Sequence, residues 1–297
     1  MPSFTFKRIP QRLFTRFARL CPRWSRRRYI RRARQWGIDR LYLVLSFDCD
    51  TQEDIAAAEQ LDQWLRERNI KACYAVPGAQ LKQGAETYRR IAENGSPFLN
   101  HGAAPHTEKV GDAYQSVTFY HQWTHDEVVQ DITRGHEIVT ETIGQEPRGF
   151  RAPHFGLFQK PHQLELQYQT LRSLGYRYST STLPNLAFRR GPVYDAGGLF
   201  EFPLSGSYAS CLQILDSWGS IKSPQEPVLQ EVYSRLFVET VQRFVELKIP
   251  GLLNYYVDPA HVIRSDAFYE AMNYLIQQKI PSLHYEDVLQ IRESNLS

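Results

Sequence analysis

The sequence predicts an α/β fold, a largely parallel sheet or barrel that carries its chemistry at one end. Three observations lead there. From residue 41 onward, short apolar runs of strand character alternate with longer stretches of helical periodicity. Those apolar runs repeatedly end in a residue that can ligate a metal or move a proton. The chain has 297 residues, enough for one large domain with a full core. In closed α/β folds, function gathers at the C-terminal ends of parallel strands, so separate clusters can converge on one pocket.

Each element has its own local reason. Leu41 through Phe47 form an apolar run that reads as a strand. A helical pattern near 53–68 follows, with Ile55, Ala58, Leu61, Trp64 and Leu65 on one face. A strand near 71–76 precedes a helix near 83–94, which closes at Asn94-Gly95. After a strand near 98–101, residues 102–123 show little regular pattern, and a stretch that long is either functional or mobile. Thr124-His125-Asp126-Glu127 is a capping box that opens a helix through Ile143, with Gly144 as its stop. Strands near 148–152, 176–180, 199–202, 250–256 and 281–284 alternate with helices near 162–174, 227–247 and 265–278. The body contains no internal repeat.

Composition narrows the classes. No apolar run approaches the roughly 20 residues that span a bilayer. The net charge of +3 hides an asymmetry: residues 1–40 hold 13 Lys and Arg against one acid, Asp39. The remaining 257 residues hold 22 basic and 31 acidic side chains. The chain therefore reads as a basic arm, 1–40, on an acidic domain, 41–297. Phe6, Ile9, Leu13, Phe17 and Leu20 recur at helical spacing among arginines, a pattern that suits an anionic membrane interface. Docking on the acidic body, nucleic-acid binding and organelle targeting are the other readings of that arm, with nucleic acid disfavoured. A secretory signal would need a continuous apolar core and a small-residue cleavage site, which the arm lacks. Four cysteines without CxxC pairing argue for free thiols in a reducing compartment, hence a cytoplasmic protein, peripheral at the membrane surface.

The chemistry lies at the strand ends. In Phe47-Asp48-Cys49-Asp50 the two aspartates are two apart and face the same way on a strand, with Cys49 turned away. Carboxylates held so close need a cation between or beside them, or one must keep a proton. His101 ends the next apolar run, with His106 five residues on and His121 as the competing second imidazole. One carboxylate, two histidines and an open position make a catalytic zinc arrangement; Ni²⁺ and Co²⁺ suit the same donors. Arg151 ends the run Gly149-Phe150, and beside a carboxylate it lowers that group's pKa and fixes its orientation. Pro153 stiffens the turn that presents the amide of His154. Asn254, Asp258 and His261 follow the last long apolar run.

Three stretches carry a specific resemblance: Ser46-Phe47-Asp48-Cys49-Asp50, Asn100-His101-Gly102 with His106, and Pro147 through His154. With them, residues 41–290 resemble the NodB-homology polysaccharide deacetylases, carbohydrate esterase family 4. The resemblance implies an irregular (β/α) barrel with fewer than eight strands. It implies Asp48 as catalytic base, Asp50, His101 and His106 as metal ligands, and Arg151 as the partner of the base. The chain departs from the family pattern in five places. Cys49 separates the aspartates, the histidines are five apart rather than four, and His154 stands where an aromatic residue is usual. No Asp-Trp pair follows Tyr178–Thr182, although Asp216-Ser217-Trp218 lies further on. The fifth-motif histidine is displaced, with His261 the nearest candidate for the general acid and His154 the lesser one. The expected function is removal of an N-acyl group, usually acetyl, from a sugar of a glycan or glycan precursor, with a divalent metal, most often zinc. The alternatives are a non-catalytic glycan-binding relative and an amide hydrolase or deformylase acting on another substrate.

Overall fold

The computed structural model describes residues 22–295. Its main sheet has the strand order β10-β1-β2-β3-β6-β7-β9-β8. Here β1 is Leu41–Asp48, β2 Ala72–Val76, β3 Phe98–Asn100, β6 Gly149–Phe150, β7 Tyr178–Ser179, β8 Tyr194–Asp195, β9 Phe200–Glu201 and β10 Gly251–Val257. Seven strands run parallel, and the two-residue β8 adds an antiparallel edge to β9, so the curled sheet has eight strands where fewer were expected. The sheet curls toward a barrel. Across its open seam, Ser205 N donates to Asn254 O at 2.9 Å and Asn254 N donates to Ser205 Oγ at 3.0 Å.

Strand alternation sorts the side chains. Leu43, Leu45 and Phe47 of β1 join Tyr74, Val76, Leu253, Tyr255 and Val257 in the layer between sheet and outer helices. Val44, Cys73, Ala75, Leu99, Tyr178, Phe202 and Leu252 fill the barrel interior. Above that apolar plug, the same inward register brings Ser46 and Asp48 against the side chain of Arg151. Full burial of a Val, Leu or Phe is worth roughly 1.5–3 kcal/mol, so a one-residue register slip would be prohibitive and the polar residues are fixed with it.

Four local findings depart from expectation. The helix near 83–94 is Ala85–Glu93, and an unexpected short helix, Gly78–Gln83, precedes it across Gly84, where a Cβ would meet Ile55 and Tyr88 at 2.8 Å. The unpatterned segment holds an antiparallel hairpin, β4 Thr107–Val110 with β5 Ala113–Ser116. The strand near 281–284 reduces to one bridge, Leu43 with Ser282, because the helix Tyr285–Ser294 begins directly after it. A further helix, Pro184–Arg190, follows β7 where the sequence had shown no periodicity. The capping box is present: Thr124 Oγ accepts from Glu127 N, and Gly144 ends the helix His125–Ile143 at φ 79°.

Residues 22–40, assigned on sequence to the basic arm, are built into the body. The helix Pro22–Trp36, α1, has Tyr29, Ala33 and Trp36 on one stripe, and all three are buried. Tyr29 OH donates to Leu252 O at 3.1 Å and accepts from Leu252 N at 3.0 Å, at the start of β10. Trp36 Nε1 donates to Val288 O at 3.2 Å. This helix closes the N-terminal end of the barrel. The amphipathic stretch 6–20 lies outside the described residues. Among the described residues, no helix is long and apolar enough to cross a membrane.

One glycine sets the approach to the chemistry. Gly102, directly after His101, has φ +81°, and a Cβ there would sit 2.4 Å from Asp131 Oδ2. Its amide binds Asn100 Oδ1 at 2.9 Å and its carbonyl accepts from Gly78 N at 2.9 Å. We predict that Gly102→Ala lowers unfolding stability by roughly 1–3 kcal/mol, through strain and overpacking together. Denaturant unfolding measures it, and an unchanged midpoint would contradict the tight turn described here.

Candidate metal centre

Three side chains from two loops converge at the C-terminal end of the sheet. Asp50 lies two residues past β1, and His101 follows β3 directly. His106 precedes β4, and its neighbour Thr107 anchors that strand by donating from Oγ1 to Asp50 O at 2.7 Å. His106 Nδ1 stands 3.1 Å and His101 Nε2 3.7 Å from the same Asp50 Oδ1. The imidazole rings meet edge to face, with centroids 4.2 Å apart. One ligand atom from each residue lies within 4.8 Å of the other two, and all three residues are buried. Donors about 2.0–2.1 Å from a tetrahedral zinc stand roughly 3.3 Å from each other, which this spacing brackets.

The protonation pattern suits a cation. His101 Nδ1 donates to Arg151 O at 2.8 Å, which turns the Nε2 lone pair toward Asp50. Burial holds the His101 pKa well below its ordinary value, with the His106 ring adding to it, so the imidazole is neutral. Burial opposes ionisation of Asp50, yet the contact with His106 outweighs it and keeps the carboxyl at about 2. His106 Nε2 is buried without a hydrogen-bond partner among the described residues. An orphaned imidazole nitrogen beside a neutral imidazole and an ionised carboxylate fits a divalent cation.

Asp48 stands beside this triangle, its Oδ2 3.7 Å from His101 Nε2. Burial pushes its pKa up to about 6 against the pull of Arg151, and Asp50 adds to the rise. Arg151 is fully buried and donates from Nη1 to Asp48 Oδ1. Its Nη2 donates to Ser46 Oγ at 2.7 Å and to Tyr285 OH at 2.9 Å. Tyr285 passes the network on to Asn254 Oδ1 at 2.8 Å. Asn254 Nδ2 donates to Thr180 Oγ1 and Phe202 O, both at 3.0 Å. Asn254 therefore belongs to the scaffold that ties the seam of the barrel to Arg151.

His261 sits on the short helix Pro259–Val262 after β10, buried, with its ring edge-on to Trp218 at 4.7 Å. Its Nδ1 is 3.1 Å from Ser217 Oγ and 3.8 Å from Asp258 Oδ2. Ser217 Oγ also donates to Asp258 Oδ1 at 3.2 Å. The segment Asp216-Ser217-Trp218, distant in sequence from the expected fourth motif, is thus what holds His261. Sequence reading placed neither Ser217 nor Tyr285 in the site; the Asp-x-Trp pattern was the one available signal for the first. Beside His261 a groove of about 220 Å³ runs past Thr51, Tyr114 and Trp218.

His154 takes a left-handed conformation, φ 51°, and its Nε2 donates to Val117 O. Its ring stacks obliquely on Phe119 at 4.7 Å, so the imidazole braces the hairpin loop. His121 is exposed against Phe119, away from Asp50, and His106 is the second imidazole of the cluster. Cys49 packs in the outer core, and the described cysteines Cys49, Cys73 and Cys211 are free thiols.

Residues 39–179 match the family model for polysaccharide deacetylase. Over these residues the chain is similar to that family. The match carries Asp48, Asp50, His101, His106, Arg151 and His154, and it ends before Trp218 and His261. Curated protein sequences give no match. Among solved structures, a putative polysaccharide deacetylase from Mycobacterium smegmatis is similar at TM-score 0.65 and 17% identity, covering 87% of this chain and 92% of that one. A probable polysaccharide deacetylase from Pseudomonas aeruginosa PAO1 gives TM-score 0.63 at 13% identity with the same coverage. A Puue allantoinase gives 0.62 at 10%, again over 87% and 92%. Identities this low establish the shared fold.

The ligand assignment is testable without substrate. Asp50→Asn and His106→Ala should each lower zinc affinity by about tenfold or more, while Asp48→Asn should leave it nearly intact. Competition with a chromophoric chelator reads the affinities. Equal losses in Asp50→Asn and Asp48→Asn would show that their roles are wrongly divided.

Proposed function

We propose that the protein is a metal-dependent N-deacylase that removes an acyl group, normally acetyl, from an amino sugar of a glycan or glycan precursor. One observation carries the reading: the Asp50–His101–His106 triangle has a buried carboxylate, Asp48, at its edge, aimed by a buried arginine. When bound, a divalent cation supplies Lewis-acid polarisation of the amide carbonyl and a lowered pKa for water. Asp50, His101 and His106 hold it, with zinc the first choice for this donor set and Ni²⁺ or Co²⁺ alternatives.

Asp48 accepts the proton of the attacking water, its free oxygen directed to the centre because Arg151 engages the other. A base whose pKa lies near 6 is ionised at neutral pH and still basic enough to take a proton. His154 contributes its backbone amide, not its ring, to the oxyanion; the rigid left-handed turn supports that role. His261 donates to the leaving amine. Burial holds the His261 imidazole down at about 4, and burial with the nearby carboxylates holds Asp258 well above the ordinary carboxyl range, so Asp258 carries a proton that Ser217, bridging the two, can relay. Moving that proton onto His261 creates an imidazolium beside a carboxylate and makes the pair the general acid. In this reading His261, packed edge-on against Trp218, takes the acid position that the sequence had left open.

The substrate class rests on the family match and on the groove beside His261. We place the enzyme in the cytoplasm near an anionic membrane surface, a reading supported by the 13 basic residues among the first 40.

Acetate release from a panel of N-acetylated sugars, with zinc-loaded protein, tests the proposal. Asp48→Asn should lower kcat by about 10²–10⁴, the usual worth of a positioned base. His261→Ala should lower it by about 10² while leaving KM within a few-fold. If the loaded wild type releases no acetate from any of them, or Asp48→Asn is as active as the wild type, the deacetylase reading is wrong.

A further inference from the structure

The end of the barrel opposite the metal centre carries a second concavity, of about 460 Å³, walled by Arg28, Arg32, Arg189, Arg190 and Arg292. These five arginines come from three elements: α1, the helix Pro184–Arg190, and the helix Tyr285–Ser294. Its floor is Trp36, edge-on to Phe200 at 5.3 Å, and Phe200 is the first residue of β9. Asp48, His101 and Arg151 instead lie at the C-terminal ends of their parallel strands. The eight-residue β1 rises about 3.3 Å per residue, so roughly 20 Å separates the two sites.

Elsewhere on the body Arg172 pairs with Glu165, and Arg177 with Glu286 and Glu293. In the concavity, among the described residues, Arg32, Arg189, Arg190 and Arg292 form no such pair. Asp195, the acid on its wall, is occupied by the amides of Gly197 and Gly198, both at 2.8 Å. The guanidinium of Arg292 lies over Trp36 at 4.4 Å and that of Arg190 over Tyr194 at 4.8 Å. Stacking holds each plane in place and uses its face, leaving the N–H edges for an oxyanion. Arg28 Nε donates to Arg189 O at 3.0 Å, which locks α1 to the second helix. Burial and the neighbouring cations depress the pKa of both Arg28 and Arg189, so an anion here would relieve repulsion. An arrangement that concentrates fixed positive charge in a concave, partly desolvated place is costly unless a counter-charge enters it.

We propose that this concavity binds phosphate-type oxyanions, either a soluble phosphorylated compound or the headgroup of an anionic lipid. Its volume exceeds a single phosphate, so a pyrophosphate or a phosphodiester with its substituent is the better fit. The distance to Asp50 means that the bound phosphate is not the group carrying the scissile amide of a monosaccharide. It is a second, separate site.

The test uses the full chain at low salt. Binding of inorganic pyrophosphate is measured by calorimetry, and co-sedimentation with phosphatidylglycerol-containing vesicles by centrifugation. Two double variants approach the site from different elements: Arg189→Gln with Arg190→Gln, and Arg32→Gln with Arg292→Gln. A third, Arg90→Gln with Arg134→Gln, removes the same charge from exposed positions elsewhere. Because charge-assisted hydrogen bonds are the strong ones, affinity should fall about tenfold or more in either pocket variant and stay near wild type in the control. A loss confined to pyrophosphate identifies a soluble ligand; a loss of vesicle binding identifies a headgroup. If wild type binds neither anion, or if a folded pocket variant binds both as tightly as wild type, the site does not exist.

Discussion

The buried ion pair between Arg151 and Asp48 is the interaction on which the site depends. A fully buried guanidinium is costly unless its donors are met, and here Asp48, Ser46 and Tyr285 meet the two terminal nitrogens, while Nε has no partner among the described residues. The same residue acts twice. Its side chain directs the Asp48 carboxylate, and its backbone carbonyl sets the tautomer and angle of His101. Base and ligand are thus held by one strand end. Removing one partner of such a pair leaves a buried charge uncompensated, at a cost of roughly 3–5 kcal/mol. The pair is therefore a liability to stability that the fold accommodates, with the inward register of β1 and the tyrosine–asparagine relay across the seam built around it.

Much of this was legible in the chain because it is local. Strand alternation alone turns Asp48 and Ser46 inward and Cys49 outward, and apolar runs marked the ends where Asp50, His101 and Arg151 stand. The capping box at Thr124 and the glycine stop at Gly144 are decided within a turn of helix, so they could be read to the residue. What escaped was set by long-range contact. Ser217 and Trp218 reach His261 over more than 40 positions, and Tyr285 reaches Arg151 over 134. The hairpin at 107–116 has polar, largely exposed strands, held by the Asp50–Thr107 bond and by Tyr114 on Glu53, neither of which leaves a periodic trace. The strand near 281–284 failed for a different reason: its apolar pattern fits one bridge to Leu43, and helix Tyr285–Ser294 takes the residues that would extend it.

The two ends of the barrel divide the labour. The C-terminal end gathers carboxylates and imidazoles around a place for one cation. At the N-terminal end, α1 is part of the fold and serves as its plug, with Tyr29, Ala33 and Trp36 inward and arginines outward. A basic composition that reads as a loose arm is thereby converted into a rigid basic wall. Charge near the chain terminus and chemistry at the opposite face are connected only through the barrel interior, so each can be changed without the other.

The most direct test of the account is a crystal structure of zinc-loaded protein with anomalous data collected at the zinc edge. The account predicts one peak about 2.0–2.3 Å from a carboxylate oxygen of Asp50 and one nitrogen each of His101 and His106, with Asp48 beside it and still held by Arg151. A peak coordinated by other residues, or no peak between these three, would contradict it.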